Sequence, residues 1–196
     1  VPVVFTAWIF GIPIVIHEQT TQVGLSNKIA AKFAQKILVA FDESIKYFPP
    51  HKTTKVGNTV RQTFFDSDIW PPITKNKMSE FKTRAQKQNL PIVLISGGGQ
   101  GSHLINSAVN EILKPLLTNY QLILFTGDNK LHNDYQNITN SINQLSQKLQ
   151  NRAIITKFAA EEIGAYYDAA DLFVGRSGAI TVYELGATRI PSILIP

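Results

Sequence analysis

Seven short runs of apolar, largely β-branched residues punctuate the chain: PIVI (13–16), ILVAF (37–41), IVLIS (92–96), LILFT (122–126), AIIT (153–156), LFVG (172–175) and SILI (192–195). Continuous runs, as opposed to alternating ones, predict parallel strands buried on both faces. Between them the apolar positions change to a helical period. In GSHLINSAVNEILKPLL, Leu104, Ala108, Ile112 and Leu116 recur every four residues beside Ile105, Val109, Leu113 and Leu117. Together they form one broad apolar stripe. The runs at 92, 122 and 153 are spaced by about thirty residues, the size of a βαβ unit, and the later ones by about twenty. The pattern predicts an α/β fold with parallel sheets.

Two segments depart from this rhythm. VPVVFTAWIFGIPIVI opens the chain with no charge in 16 residues. It is short for a membrane span and is interrupted by Gly11 and Pro13, so it predicts a buried helix that turns at Gly11 into the strand PIVI. It lacks the basic start of a signal peptide, and there is no initiating Met. The expectation is a chain that begins inside a larger protein and ends as abruptly at SILIP. The second segment, QTFFDSDIWPPITKNKMSEFKTRAQKQNLP, has a Pro pair, polar turns and a basic run, with no strand pattern. It predicts a connection at 62–90 between the remnant of a first lobe (1–61) and a nearly whole second lobe (91–196).

Composition narrows the chemistry. With 44% hydrophobic and 17% charged residues the chain is an ordinary globular one. It has no cysteine, which excludes disulfides and thiolate metal sites. The four histidines, His17, His51, His103 and His132, show no metal-ligand spacing, so no structural metal is expected. A net charge of +5 favours anionic partners. Five of the 19 Lys and Arg lie in KNKMSEFKTRAQK (75–87), which reads as a solvated helix. No aromatic-studded basic stripe accompanies it, so nucleic-acid binding rests on charge alone.

Two strand-to-helix turns carry the candidate chemistry. In LISGGGQGSHLINSAV, Gly97, Gly98, Gly99 and Gly101 follow a buried strand and precede the apolar helix. Such a turn can wrap an anion with backbone N–H groups, or can simply be a tight turn. The spacing fits neither the dinucleotide fingerprint nor the P-loop. In GRSGAITVYELG (175–186), Thr181 and Glu184 match a capping box. Alternatively, the helix start binds an anion and Glu184, one turn in, holds a sugar diol. Ligands of open parallel sheets sit beyond the carboxyl ends of the strands, so both turns belong on one edge. There they suit a diphosphate flanked by a ribose. Arg61 in GNTVR offers a charge-assisted phosphate contact or pairs with a surface acid. His17 and Glu18 stand at a strand end, as ligand-facing residues or as a satisfied polar pair.

In this order, GIPIVIHEQT…GLSNKIAAKFA, GNTVR, SGGGQGS…N and GRSGAITVYELGA…IPSILIP resemble the MurG-type transferases over essentially the whole chain. These are GT-B enzymes of glycosyltransferase family 28, which add GlcNAc from UDP-GlcNAc to lipid I and so yield lipid II for peptidoglycan. The resemblance implies two Rossmann-like lobes with parallel sheets, the first of them incomplete. It implies that Ala179, Ile180, Thr181, Val182, Tyr183 and Glu184 line the donor site, with Glu184 on the uridine ribose and Arg61 on the donor. Gly98, Gly99, Gln100 and Gly101 would hold phosphate or sugar, and Ala160 would reach uracil through its backbone. Thr20 would contact the donor, while His17 and Glu18 fall in the acceptor-facing loop. His17 is the candidate base within this chain, the main base being expected in a preceding loop.

The chain departs from the family at several of these positions. Gly99 replaces a serine, Thr20 an asparagine and Thr59 a proline, and the FAAEEI segment is one residue longer. The resemblance further implies inverting transfer, no required cofactor or metal and an undecaprenyl-linked acceptor. It places the protein peripherally on the anionic cytoplasmic face of the bacterial membrane. Other readings are a non-catalytic UDP-sugar-binding subunit of a split glycosyltransferase and a UDP-sugar transferase acting on another lipid.

Overall fold

Every apolar run becomes a strand, and the strands form two separate parallel sheets in the computed structural model, which describes residues 1–196 throughout. The chain divides into two units, Val1–Thr59 and Val60–Pro196.

The first unit contains α1 (Pro2–Ile9), β1 (Val15–Glu18), α2 (Leu25–Ala30), β2 (Lys36–Val39), α3 (Asp42–Ile45) and β3 (Thr53–Lys55). Its strands lie in the order β1-β2-β3. Ile14, Ile16, Val23, Ala30, Ile37, Val39 and Phe48 form its core. The ammonium of Lys52 donates to the carbonyls of Ala31 and Ala34, both at 3.0 Å, and so satisfies acceptors left open where α2 ends. The opening helix departs from the sequence expectation. None of the residues of α1 is buried, and Val3 is 82%, Trp8 53% and the adjoining Phe10 74% exposed. Val4 and Ala7 pack on the core, and the Phe5 and Trp8 rings lie against Phe33 beside it, with centroids 6.1 and 5.3 Å apart.

The second unit begins with 3₁₀ turns at 62–64 and 67–69 and continues through α4 (Pro72–Gln88), β4 (Ile92–Ser96), α5 (His103–Glu111) and α6 (Leu113–Asn119). It then forms β5 (Gln121–Phe125), α7 (Asp134–Asn143), α8 (Gln147–Gln150), β6 (Ala153–Thr156) and α9 (Ile163–Ala169). Finally come β7 (Leu172–Arg176), α10 (Ala179–Thr188) and β8 (Ser192–Ile195). The sheet order is β6-β5-β4-β7-β8, all parallel. Alternation along β4 feeds two cores. Ile92 and Leu94 face Met78, Phe81, Tyr167, Phe173 and Leu185, while Val93 and Ile95 face Ile105, Val109, Leu117 and Ile138. Both faces of the sheet are therefore covered by helices, which is why its strands read as unbroken apolar runs.

The stretch 62–90, expected as a connection carrying a solvated helix, belongs to this unit. Helix α4 buries Met78, Phe81 and Ala85 and presents its lysines to solvent. The helix after β4 is also not continuous. It divides at Ile112, because Pro115 has no N–H to donate to the Glu111 carbonyl one turn earlier.

Candidate functional site

The strand order fixes where a site can form. From β4 the chain moves outward through β5 to β6, then returns to the other side of β4 for β7 and β8. The reversal leaves a crevice beyond the carboxyl ends of β4 and β7, which pair Ser96 with Gly175. The two turns singled out in the sequence are the loops that leave these two strand ends. They frame a cavity of about 200 Å³ lined by Arg61, Ser96, Gly98, Gly99, Phe125, Lys157, Phe158, Ala159, Ile163, Tyr167, Ile180, Thr181 and Glu184.

The glycine loop is shaped by its backbone. Gly98 and Gly101 adopt φ of +86° and +80°, the left-handed region that glycine enters without steric cost. The Gly101 N–H closes the turn on the Gly98 carbonyl at 2.9 Å, and the Ser96 hydroxyl accepts from the Gly98 N–H at 3.2 Å. Gly99 has an ordinary φ and open space where a side chain would stand. Behind the loop, Asn106 donates from its amide to the Thr126 carbonyl (2.8 Å) and to the Asp134 carboxylate (2.9 Å). The other Asp134 oxygen pairs with His103 Nδ1 at 2.7 Å, and the His103 ring stacks on His132.

On the other side, α10 begins after Gly178, and no side chain caps it. The capping-box reading of Thr181 and Glu184 therefore fails, because Thr181 lies inside the helix. Glu184 faces the cavity, 2% exposed. Its Oε1 accepts from Arg61 Nε at 2.9 Å and pairs with Arg61 Nη2 at 2.7 Å. The guanidinium lies 5.4 Å from the centre of the Phe64 ring. Burial pushes the Glu184 carboxyl above the usual carboxylate range, and Arg61 recovers only part of that shift. The Tyr167 phenol beneath the pair is driven well up, by burial first and by the Glu184 charge second.

Of the positions expected at the site, the structure brings Arg61, Gly98, Gly99, Ile180, Thr181 and Glu184 into one cavity. Ala179, Val182 and Tyr183 share α10 but do not line it, since successive helical residues turn by about 100° and only one stripe faces inward. Gln100 and Gly101 also do not line it. A β-carbon on Gly101 would overlap the Thr126 carbonyl, so this glycine serves packing against the β5 loop. The position given to Ala160 is taken by Phe158 and Ala159, and the Ala160 N–H donates to the Glu162 carboxylate at 3.3 Å.

His17, Glu18 and Thr20 belong to the first unit. There Glu18 is a saturated loop anchor. Its Oε1 accepts from the N–H and hydroxyl of Thr20 (3.0 and 2.7 Å), and its Oε2 from Gly24 N–H and Asn27 (3.3 and 3.0 Å). Burial alone would raise its pKa, but these four donors outweigh burial and hold it below the ordinary value. His17 Nε2 donates to the Gly57 carbonyl at 3.0 Å.

Sequence reasoning missed Ser96, Phe125, Lys157, Phe158, Ala159, Ile163 and Tyr167 as lining residues, although Ser96 and Phe125 end β4 and β5 and the next three directly follow β6, all under the same strand-end rule. Lys157 pairs with Asp128 at 2.9 Å on the rim. Asp66-Ser67-Asp68, an Asp-x-Asp, does not line the cavity. It forms a local turn in which Asp66 accepts from the Asp68 N–H at 3.0 Å.

The fold is an α/β domain of the GT-B type, with a crevice at the switch point of a parallel sheet. The profile of the glycosyltransferase family 28 C-terminal domain matches residues 92–196, and the chain belongs to this family. It is 34% identical over 196 residues to the UDP-N-acetylglucosamine–N-acetylmuramyl-(pentapeptide) pyrophosphoryl-undecaprenol N-acetylglucosamine transferase of Bacillus subtilis (strain 168), covering 100% of this chain and 50% of the relative. The chain thus spans about half the length of the curated relatives it matches. Among solved structures it resembles Acinetobacter baumannii MurG, with a TM-score of 0.55 and 22% identity, over 100% of this chain and 49% of that one. It also resembles the UDP-GlcNAc 2-epimerase of Neisseria meningitidis bound to UDP-GlcNAc, with a TM-score of 0.58 and 14% identity, over 97% and 54%.

Proposed function

We propose that the cavity binds UDP-GlcNAc and that the protein serves the transfer of GlcNAc to an undecaprenyl-diphospho-muramoylpentapeptide, a MurG-type step of peptidoglycan synthesis. One observation carries the reading: a buried carboxylate, Glu184, and a cation, Arg61, face one small cavity between the glycine loop and the start of α10. A ribose diol suits the carboxylate, and a diphosphate suits the backbone N–H groups of the loop and of the uncapped helix. In the transfer, the acceptor hydroxyl attacks the anomeric carbon of GlcNAc with inversion, its proton passes to a base and UDP departs. The helix N-terminus and Arg61 stabilise the charge that grows on the leaving diphosphate. His17 is the candidate base within this chain.

Peripheral contact with the cytoplasmic face of the membrane that carries such an acceptor is part of this reading and rests on the resemblance to the MurG-type transferases. No helix is long and apolar enough to cross a membrane.

A thermal-shift titration with UDP-GlcNAc, UDP-glucose and ADP-glucose tests the donor site. A ligand at a hundred times its Kd adds about 2.7 kcal/mol of stability. Stabilisation by the UDP-sugars that disappears in Glu184→Ala is expected. A folded chain indifferent to all three would overturn the reading.

A further inference from the structure

We propose that Arg61 guards Glu184, making the cavity selective for phosphorylated nucleosides over the bare nucleoside; this rests on reading the cavity as a nucleotide site. Both guanidinium contacts, Nε at 2.9 Å and Nη2 at 2.7 Å, fall on the same oxygen, Oε1. The first is a hydrogen bond and the second an ion pair, so the guanidinium crowds that oxygen. A ribose 2′,3′-diol that grips a carboxylate uses both carboxylate oxygens, so it cannot engage Glu184 fully until the arginine leaves. The space makes the same demand. A cavity of about 200 Å³ is below the roughly 300–1,000 Å³ of pockets that enclose small ligands. Glu184 is fixed in a helix and 3% exposed at its side chain, whereas the Arg61 side chain is 42% exposed and reaches in from the chain just before a 3₁₀ turn. Arg61 is the partner free to move.

Displacement is costly unless the guanidinium finds another anion, because a buried carboxylate would otherwise lose its partner. A nucleoside diphosphate supplies that anion. Its phosphates, held at Gly98 and Gly99 on the opposite wall, can receive the arginine that the ribose evicts. A bare nucleoside evicts Arg61 and offers nothing in return. Lys157 on the rim is tied to Asp128 and cannot substitute without breaking its own pair. Arg61 therefore acts twice, lowering affinity for ligands without phosphate and raising it for ligands with phosphate.

Calorimetric titration of the full chain with UDP and with uridine separates these roles. The wild-type chain is expected to prefer UDP by roughly thirtyfold or more. In Arg61→Ala, UDP should bind more weakly while uridine binds about tenfold more tightly, since Glu184 is then open. Arg61→Gln, which keeps bulk and an uncharged donor, should also gain uridine affinity and serves if the alanine variant does not fold. Unchanged or weaker uridine binding in a folded variant, with UDP binding reduced, would make Arg61 a simple phosphate contact and overturn the guard. Failure of UDP to bind the wild-type chain would overturn the nucleotide reading itself.

Discussion

Gly101 backs on to Thr126: a β-carbon at Gly101 would occupy the space of the Thr126 carbonyl oxygen and crowd Gly127, whose own β-carbon would collide with Gly101. The glycine loop and the β5 loop are thus locked together through two backbones with no side chain between them. Gly101→Ala meets both a φ of +80° and this overlap. It should cost about 2–5 kcal/mol, the sum of a left-handed alanine and an overpacked contact. Urea denaturation would show the loss, and UDP binding should fall with it.

Gly99 behaves oppositely. With no atom within 4 Å of a β-carbon and no positive φ, Gly99→Ser is expected to leave stability within about 0.5 kcal/mol of wild type. The new hydroxyl would line the cavity beside Gly98. A single neutral hydrogen bond should tighten UDP by about two- to tenfold, measurable by calorimetry.

Glu184 should leave a signature in the pH dependence of stability. Its folded-state pKa lies above the ordinary value, so the folded chain holds this proton more tightly than the unfolded chain does. The contribution to stability is complete below the unfolded value and is lost as pH rises through the folded one. Glu184→Gln abolishes that titration. The stability of the variant relative to wild type should therefore rise with pH across the window that opens at about pH 4.3. Denaturation series between pH 4 and 7 would reveal a flat difference if the carboxyl were not perturbed.

Glu18 carries the opposite sign. Its pKa is lowered, so its contribution is present above the unfolded value and is lost as pH falls through the folded one. Glu18→Gln should cost about 1–3 kcal/mol at neutral pH, because an amide cannot accept from all four donors. The deficit should shrink in acid. An equal deficit at pH 7 and pH 3 would contradict the charge-based account.

Helix α4 should prove to be structural. Phe81, 3% exposed, packs among Met78, Ile92 and Tyr167 in one of the two cores, so Phe81→Ala should cost about 3–5 kcal/mol in thermal denaturation. A freely solvated connector would lose far less.

Much of the fold was legible because burial on both faces of a parallel sheet writes itself as unbroken apolar runs. IVLIS, AIIT and SILI match β4, β6 and β8 residue for residue. The exceptions have physical causes. Strand β1 runs two residues later than PIVI, because His17 and Glu18 pair with Leu38 and Val39 in the ladder despite being polar. Strand β3, Thr-Thr-Lys, has no buried side chain and exists only because β2 offers it a backbone edge. In the long helical stripe the row Ile105, Val109, Leu113 and Leu117 is buried, while Leu104 and Ile112 are left in solvent; periodicity shows that a stripe exists, not which of its rows meets the sheet.

The site was legible where function follows from topology, in the loops at the ends of β4 and β7. The pairing of Arg61 with Glu184 was not, nor was the Asn106–Asp134–His103 network behind the glycine loop. Each joins residues that no local pattern relates. Lys157 and Phe158 are different: they follow β6 at the same sheet edge and were open to the same argument.

The Arg61–Glu184 pair spans 123 positions of sequence and ties the opening turn of the second unit to its last helix. Contacts of such separation form late, since the loop they close must first be ordered by everything between them. On a ribosome, Arg61 is made before Glu184 and waits for it through four strands and the helices that bury them. The cavity is therefore assembled only once β4 to β7 and the helices between them are in place, and occupancy of the site marks a second unit that has folded as far as its α10 helix.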